Sequence, residues 1–190
     1  MSDFLDYFDK NYYEKLDRRA GTFRALFEFL DKKDKSFYSI IETGCVRGIN
    51  NYVGDGMSTG LFDKFVNFHG GEVISVDIDS NSCKLAQSLV SDKTKVVCAD
   101  SVKFLWKLKP STIVDLLYLD SFDIDFNNPH PSMLHHIKEL CAIIGKLSKG
   151  TLIVVDDNIK ISGKGRYIED FMNNLGYNKI IDSYQVGWVL

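Results

Sequence analysis

The chain has 190 residues, 45% of them hydrophobic and 13% aromatic, enough for one domain to bury a substantial core and too few for two full ones. A formal net charge of -3 at pH 7 argues against a protein whose main business is neutralising a phosphate backbone, so no nucleic-acid partner is expected. Cys45, Cys83, Cys98 and Cys141 are irregularly spaced, with no C-x-x-C pair and no Cys/His cluster, which points away from a zinc knuckle or a disulfide framework.

The opening Met1-Ser2-Asp3-Phe4 carries an acid where a signal peptide carries bases, and no apolar run approaches bilayer-spanning length. A cytoplasmic protein with no membrane partner is the expectation. From Asp3 to about Lys33 apolar residues recur at helical spacing: Phe4, Leu5, Phe8, Tyr12 and Leu16, then Phe23, Leu26, Phe27 and Leu30. This predicts two helices divided at Gly21-Thr22. The second should pack on the core, and the first, with Tyr7, Tyr12 and Tyr13, either packs there or caps a ligand site. Residues 1–35 thus read as a helical extension on a core of residues 36–190, the whole forming a single domain.

Past Ser36, strand and helix alternate. Strands are predicted at Phe37–Thr43, Glu72–Asp77, Lys95–Ala99, Val114–Asp120 and Thr151–Asp156, with helices at Ser58–Phe68, Ser80–Val90, Ser101–Leu108 and Pro131–Leu147. The last two strands are nearly continuous apolar runs, which suit a parallel sheet covered on both faces by helices. A helix over Arg166–Leu175 should stop at Gly176. The β-like runs Lys179–Ile181 and Gly187–Leu190 are too close together for a crossover helix, so they must form an antiparallel hairpin.

In doubly wound sheets, ligands bind beyond the carboxyl ends of the strands. Every predicted central strand ends in an acid: Glu42 before Gly44, Asp77 with Asp79, Asp100 before Ser101, Asp120, and Asp156-Asp157-Asn158. Any one of these is most simply a solvated strand end. Together they would repel unless a cation or a hydrogen-bonding ligand compensated them. Asp77, at the end of the second strand, can accept both hydroxyls of a ribose. Asp100 and Ser101 fall where an adenine edge would lie, and Gly44 and Gly56 let backbone approach a ligand closely.

The succession Glu42-Thr43-Gly44, Val76-Asp77, Ala99-Asp100-Ser101 and Leu119-Asp120 resembles the class I S-adenosylmethionine-dependent methyltransferases, over residues 37–190. The terminal hairpin fits that family, which appends a reversed last strand to the parallel sheet. The closer similarity is to metal-dependent O-methyltransferases of the catechol and macrocin type. Glu42-Thr43-Gly44 looks like their E-L-G, Gly56-Met57-Ser58 like their G-Y-S, Leu119-Asp120 like their first metal-binding L-D, and Val155-Asp156-Asp157-Asn158 like their D-N or D-D motif.

The resemblance implies a Rossmann-like, doubly wound α/β fold whose seven-stranded sheet is mainly parallel with an antiparallel C-terminal strand. It implies S-adenosylmethionine held by Glu42, Gly44, Gly56, Ser58, Asp77, Asp100, Ser101 and Asp120. It also implies an all-oxygen site for Mg²⁺ or a similar divalent cation on Asp120, Asp157 and Asn158. The reaction would be methyl transfer to an oxygen of a small molecule or glycan, with Asp120 at the reacting end.

Two features depart from the family pattern. Residues 45–55 lengthen the loop before Gly56, and Asp123 stands where the catechol enzymes carry a lysine base. His130, in the long polar segment 121–131, is the candidate base in its place, against the plainer reading of an exposed loop histidine. Alternate strand residues face opposite ways, so either Asp156 or Asp157 can be the ligand. Lys160, Lys164 and Arg166 either contact an acidic substrate or balance local charge. Two other functions stay open. One is an NAD-dependent oxidoreductase, disfavoured because Gly44-x-x-x-Gly48 is not G-x-G-x-x-G. The other is a non-catalytic or regulatory module that keeps the fold and binds S-adenosylmethionine without transferring methyl.

Overall fold

The computed structural model describes residues 3–159 and 162–190; Lys160, one of the candidate substrate contacts, lies outside them. The apolar runs become β1 Tyr38–Thr43, β2 Gly71–Asp77, β3 Thr94–Cys98, β4 Leu116–Leu119, β5 Leu152–Val155, β6 Lys179–Asp182 and β7 Val186–Val189. Between and before them lie α1 Asp3–Asn11, α2 Ala20–Asp31, α3 Ser58–His69, α4 Ser80–Leu89, α5 Ser101–Lys107, α6 His130–Ile143 and α7 Arg166–Asn174.

The strands form one seven-stranded sheet in the order β3-β2-β1-β4-β5-β7-β6. The first five are parallel, and β7 runs antiparallel to both β5 and β6. This is the expected Rossmann-like architecture with its reversed last strand. Every residue of β1, β4 and β5 is buried, because helices cover both faces. Ile40, Leu116, Tyr118, Leu152 and Val154 face α1, α2 and α3. Ile41, Leu117, Leu119, Ile153 and Val155 face α5, α6 and α7.

The first helices pack as core. Phe4 and Phe8 of α1, Phe23 and Phe27 of α2, and Phe62 and Phe65 of α3 are at most 1% exposed. Their rings meet edge to face and stacked, and Phe23 stacks on Tyr118 of β4 at 5.8 Å. The division predicted at Gly21-Thr22 falls earlier. A 3₁₀ segment spans Tyr13–Arg19, Asp17 turns the chain at φ +48, and Gly21 and Thr22 lie in the first turn of α2. A side chain at Gly21 would meet open space, so this glycine marks no break and only weakens the turn that holds it.

Parallel pairing brings the carboxyl ends of the central strands to one rim. The ladder continues past them, with Gly44 N donating to Val76 O at 2.8 Å, Asp120 N to Thr43 O at 2.9 Å and Asp156 N to Leu119 O at 3.1 Å. The acids of four separated segments therefore stand side by side. Among the described residues, no helix is long and apolar enough to cross a membrane.

Phe23→Ala should cost about 3–5 kcal/mol in denaturant unfolding, the usual loss for a buried aromatic. Trp106→Ala, at a side chain 69% exposed, should stay within about 0.5 kcal/mol.

Candidate functional site

Gly44 leaves β1 at φ +81, and a Cβ there would run into the backbone carbonyl of Asp120. Only glycine lets the ends of β1 and β4 approach this closely. Beside it, Asp77 accepts Cys45 N at 3.0 Å on Oδ2 and Asp79 N at 2.8 Å on Oδ1. Each carboxylate oxygen keeps a further lone pair. Two cavities meet at Asp77. One is lined by Gly44, Ser58, Asp77, Asp120, Asp157 and Lys164 among others, the second by Asp77, Asp100, Ser101, Ser121, Phe122 and His135 among others.

Glu42 lies underneath this cleft and is fully buried. Its two oxygens accept the hydroxyls of Ser58 and Ser75, both at 2.5 Å. Burial pushes its carboxyl up to about 7, although the serine hydrogen bonds act in the opposite direction. Glu42 thereby ties the first residue of α3 to the sheet. Asp79 and Asp100 are N-caps of α4 and α5, accepting Ser82 N at 2.7 Å and Lys103 N at 2.8 Å, as the residue types favour.

The other end of the first cavity is a charge cluster. Asp120, Asp156 and Asp157 bring carboxylate oxygens within 4.8 Å of one another, a grouping that could hold a metal ion. Two cations already stand among them. Lys164, 1% exposed, places Nζ 2.5 Å from Asp120 Oδ1 and 2.9 Å from Asp157 Oδ2. Arg19, 3% exposed, places Nε 2.9 Å from Asp156 Oδ2 and Nη2 3.1 Å from Asp157 Oδ1. Its Nη1 donates to Val53 O at 2.8 Å. The Tyr184 hydroxyl donates to Asp157 Oδ1 at 2.5 Å, and its ring lies 4.6 Å from the guanidinium.

Two cations cannot neutralise three carboxylates. Burial opposes the Lys164 ammonium, but Asp120 and Asp157 outweigh it and hold the amine above its ordinary range. Asp157, despite its burial, is held low by Lys164, Tyr184 and Arg19. Asp120 is driven well up by burial first, with Asp156 and Asp157 adding to it, against the opposing effect of the Lys164 ammonium.

Strand alternation would separate Asp156 from Asp157. Asp157 instead takes φ +50, a left-handed turn that aspartate tolerates better than most residues. Both carboxylates therefore join the cluster. At the mouth, Arg47 pairs with Asp123 at 2.7 Å and lies 3.7 Å from Asp55. The inserted loop is thereby tied to the loop after β4.

No protein-family model and no curated protein matches the sequence. Among solved structures, the calicheamicin methyltransferase CalS11 matches with a TM-score of 0.63 at 12% identity, covering 97% of this chain and 84% of that one. The chain has the fold of the S-adenosylmethionine-dependent methyltransferases. MycE, a methyltransferase of mycinamycin biosynthesis solved with Mg and SAH, matches at 0.56 and 14% identity over 98% of this chain and 48% of that one. A putative rRNA methylase from Clostridium thermocellum matches at 0.51 and 14% identity over 87% and 95%.

On this methyltransferase fold, Gly44, Ser58, Asp77, Asp100, Ser101, Asp120 and Asp157 line the two joined cavities, and four of the expected residues stand elsewhere. Glu42 is beneath the floor. Gly56, at φ +69, faces Arg19, whose Cδ lies 2.9 Å from where a Cβ would sit; it makes room for a side chain rather than a ligand. Asn158 donates to Ser183 O at 2.9 Å, and the third acid of the cluster is Asp156. His130 is exposed at the start of α6, with Nδ1 2.6 Å from the Tyr167 hydroxyl, and does not line either cavity. Arg166 pairs with Asp170 at 3.0 Å, the local balance already weighed for it. Arg19 carried no site signal in the sequence, and Lys164 only an ambiguous one.

Two outcomes follow. Glu42, at about 7 against an ordinary 4.5, binds a proton in the folded state that the unfolded chain releases. Stability should therefore fall as pH rises between those values, by on the order of 3 kcal/mol, and Glu42→Gln should flatten the slope in unfolding curves taken from about pH 5 to about pH 8. Arg19→Ala leaves Asp156 buried and unpaired, and should cost about 3–5 kcal/mol by denaturant titration.

Proposed function

We propose that the chain is an S-adenosylmethionine-dependent methyltransferase acting on a hydroxyl of a small molecule or sugar. The observation that carries the reading is the placement of Asp77. It stands at the end of β2 where the two cavities join, with lone pairs left over from its two backbone partners. That is the arrangement a ribose diol requires. Asp100 and Ser101 then border the adenine end. The methionine end falls at Gly44 and at the start of α3, where the helix dipole favours a carboxylate.

S-Adenosylmethionine supplies an electrophilic methyl group: the acceptor oxygen's lone pair takes the methyl carbon, and the carbon–sulfur bond pair returns to sulfur. The protein's part is to hold the acceptor in line and keep water away. Asp120, at the end of β4 and bordering the cavity, receives the hydroxyl proton on this reading when its own carboxyl is ionised. CalS11, described as a TDP-rhamnose 3'-O-methyltransferase, supports a sugar or other small acceptor. The acidic balance of the chain disfavours nucleic acid.

Calorimetric titration with S-adenosylmethionine and NAD in parallel should give binding of the first alone. NAD binding without S-adenosylmethionine binding would sink the proposal. Asp77→Ala should weaken S-adenosylmethionine by about ten- to a hundredfold, the loss of charge-assisted hydrogen bonds, with the far-UV spectrum unchanged.

A further inference from the structure

The resemblance to metal-dependent enzymes implies a divalent ion on Asp120, Asp157 and Asn158; Asn158 turns its amide to Ser183 O, and the two aspartates do not fit one. Asp120 Oδ1 and Asp157 Oδ2 both lie against Lys164 Nζ, at 2.5 and 2.9 Å. Asp157 Oδ1 is taken by Arg19 and the Tyr184 hydroxyl. Both oxygens of Asp156 are within 3.2 Å of Arg19 Nε. A doubly charged ion placed among these carboxylates would stand against an ammonium and a guanidinium already paired with them.

The two cations differ in what they have left to offer. Arg19 directs Nε to Asp156, Nη2 to Asp157 and Nη1 to Val53 O, so each of its nitrogens has a partner. An ammonium has three N–H donors, and Lys164 directs them to two carboxylates. Lys164 also borders the cavity, which leaves one donor for an incoming oxygen.

Its position is built in. The carbonyl of the left-handed Asp157 accepts both Ile159 N at 3.0 Å and Lys164 N at 3.2 Å, folding the chain back on itself. A Cβ at Gly163 would lie 2.7 Å from Ile159 N, and one at Gly165 would lie 2.8 Å from Val186 Cγ1. Larger residues on either side would push Lys164 out of place.

We infer that Lys164 is the resident cation of the acceptor site: its ammonium holds the acceptor oxygen where a divalent ion would otherwise stand, and the chain binds no metal there. The inference rests on the methyl-transfer reading for the identity of that oxygen. Its claim about the cation is independent of it.

The test is titration of the intact chain with Mn²⁺, followed by the electron paramagnetic resonance signal of the free ion. The wild-type chain should show no stoichiometric site up to about 1 mM, the weak end of protein sites for hard cations. Lys164→Ala should open one, with affinity gained by at least about tenfold once the competing charge is gone, whereas Lys164→Arg should not. A stoichiometric wild-type Mn²⁺ site, or a folded Lys164→Ala variant that gains none, would overturn the inference. If that variant does not fold, the wild-type titration decides alone, binding against the inference and its absence for it. Failure of the methyltransferase reading shows separately, as no binding of S-adenosylmethionine.

Discussion

The structure turns on a chain of buried charge: Arg19 to Asp156 and Asp157, and these through Lys164 to Asp120. Removing such groups from water is costly, and the cost is offset only when each finds a partner with good geometry. The pairing therefore fixes the relation of segments far apart in sequence. Arg19 brings the entry to α2 against the end of β5, and through Val53 O it also fixes the inserted loop. Lys164 brings the start of α7 against the end of β4. Hydrophobic packing of the helices on both faces of the sheet supplies most of the burial, but it would tolerate small slips of one helix along another. A guanidinium between two carboxylates tolerates far less, because displacement strands a charge.

The unusual backbone positions follow from that constraint. Gly44 has no Cβ because the end of β4 must come up against it to deliver Asp120. Gly56 has none because Arg19 passes over it. Asp157 accepts a left-handed conformation, which costs energy for a residue with a side chain, and thereby brings two consecutive carboxylates to one cluster. What looks in the sequence like a glycine-rich ligand loop is thus divided. Gly44 shapes the cleft, and Gly56 accommodates an internal ion pair.

This division explains how far the sequence could be read. Alternating apolar runs and the closely spaced terminal β segments have a direct geometric meaning, so strands, helices and the reversed last strand were legible. Acids at strand ends were legible because strand ends share a rim in any parallel sheet. Their partners were not. Arg19 sits in a segment whose helical spacing concealed a 3₁₀ turn, and nothing local says that its side chain crosses to β5. Lys164 is one lysine among many, and its burial depends on the fold-back at Asp157, which no periodicity records. Gly21 was misread for a related reason, since a glycine signals a break only when the backbone uses its freedom, and here Asp17 makes the turn.

The cluster also bears on which ligand suits the cleft. Asp55, Asp120, Asp123, Asp156 and Asp157 outnumber Arg19, Arg47 and Lys164, and the cations are taken up internally or at the mouth. A cleft with an acidic excess and low-dielectric walls attracts a cation more than a neutral or anionic molecule. On the proposed reading, the methyl donor carries a sulfonium charge that is lost when the methyl group leaves. The field that favours binding of the donor then no longer favours the product. A dinucleotide, with its pyrophosphate, would meet the opposite: a rim where carboxylates outnumber cations and Lys164 and Arg47 are already paired with aspartates. The same charge arrangement that holds the fold together thus argues for a cationic donor over the nicotinamide alternative, on grounds separate from the glycine spacing.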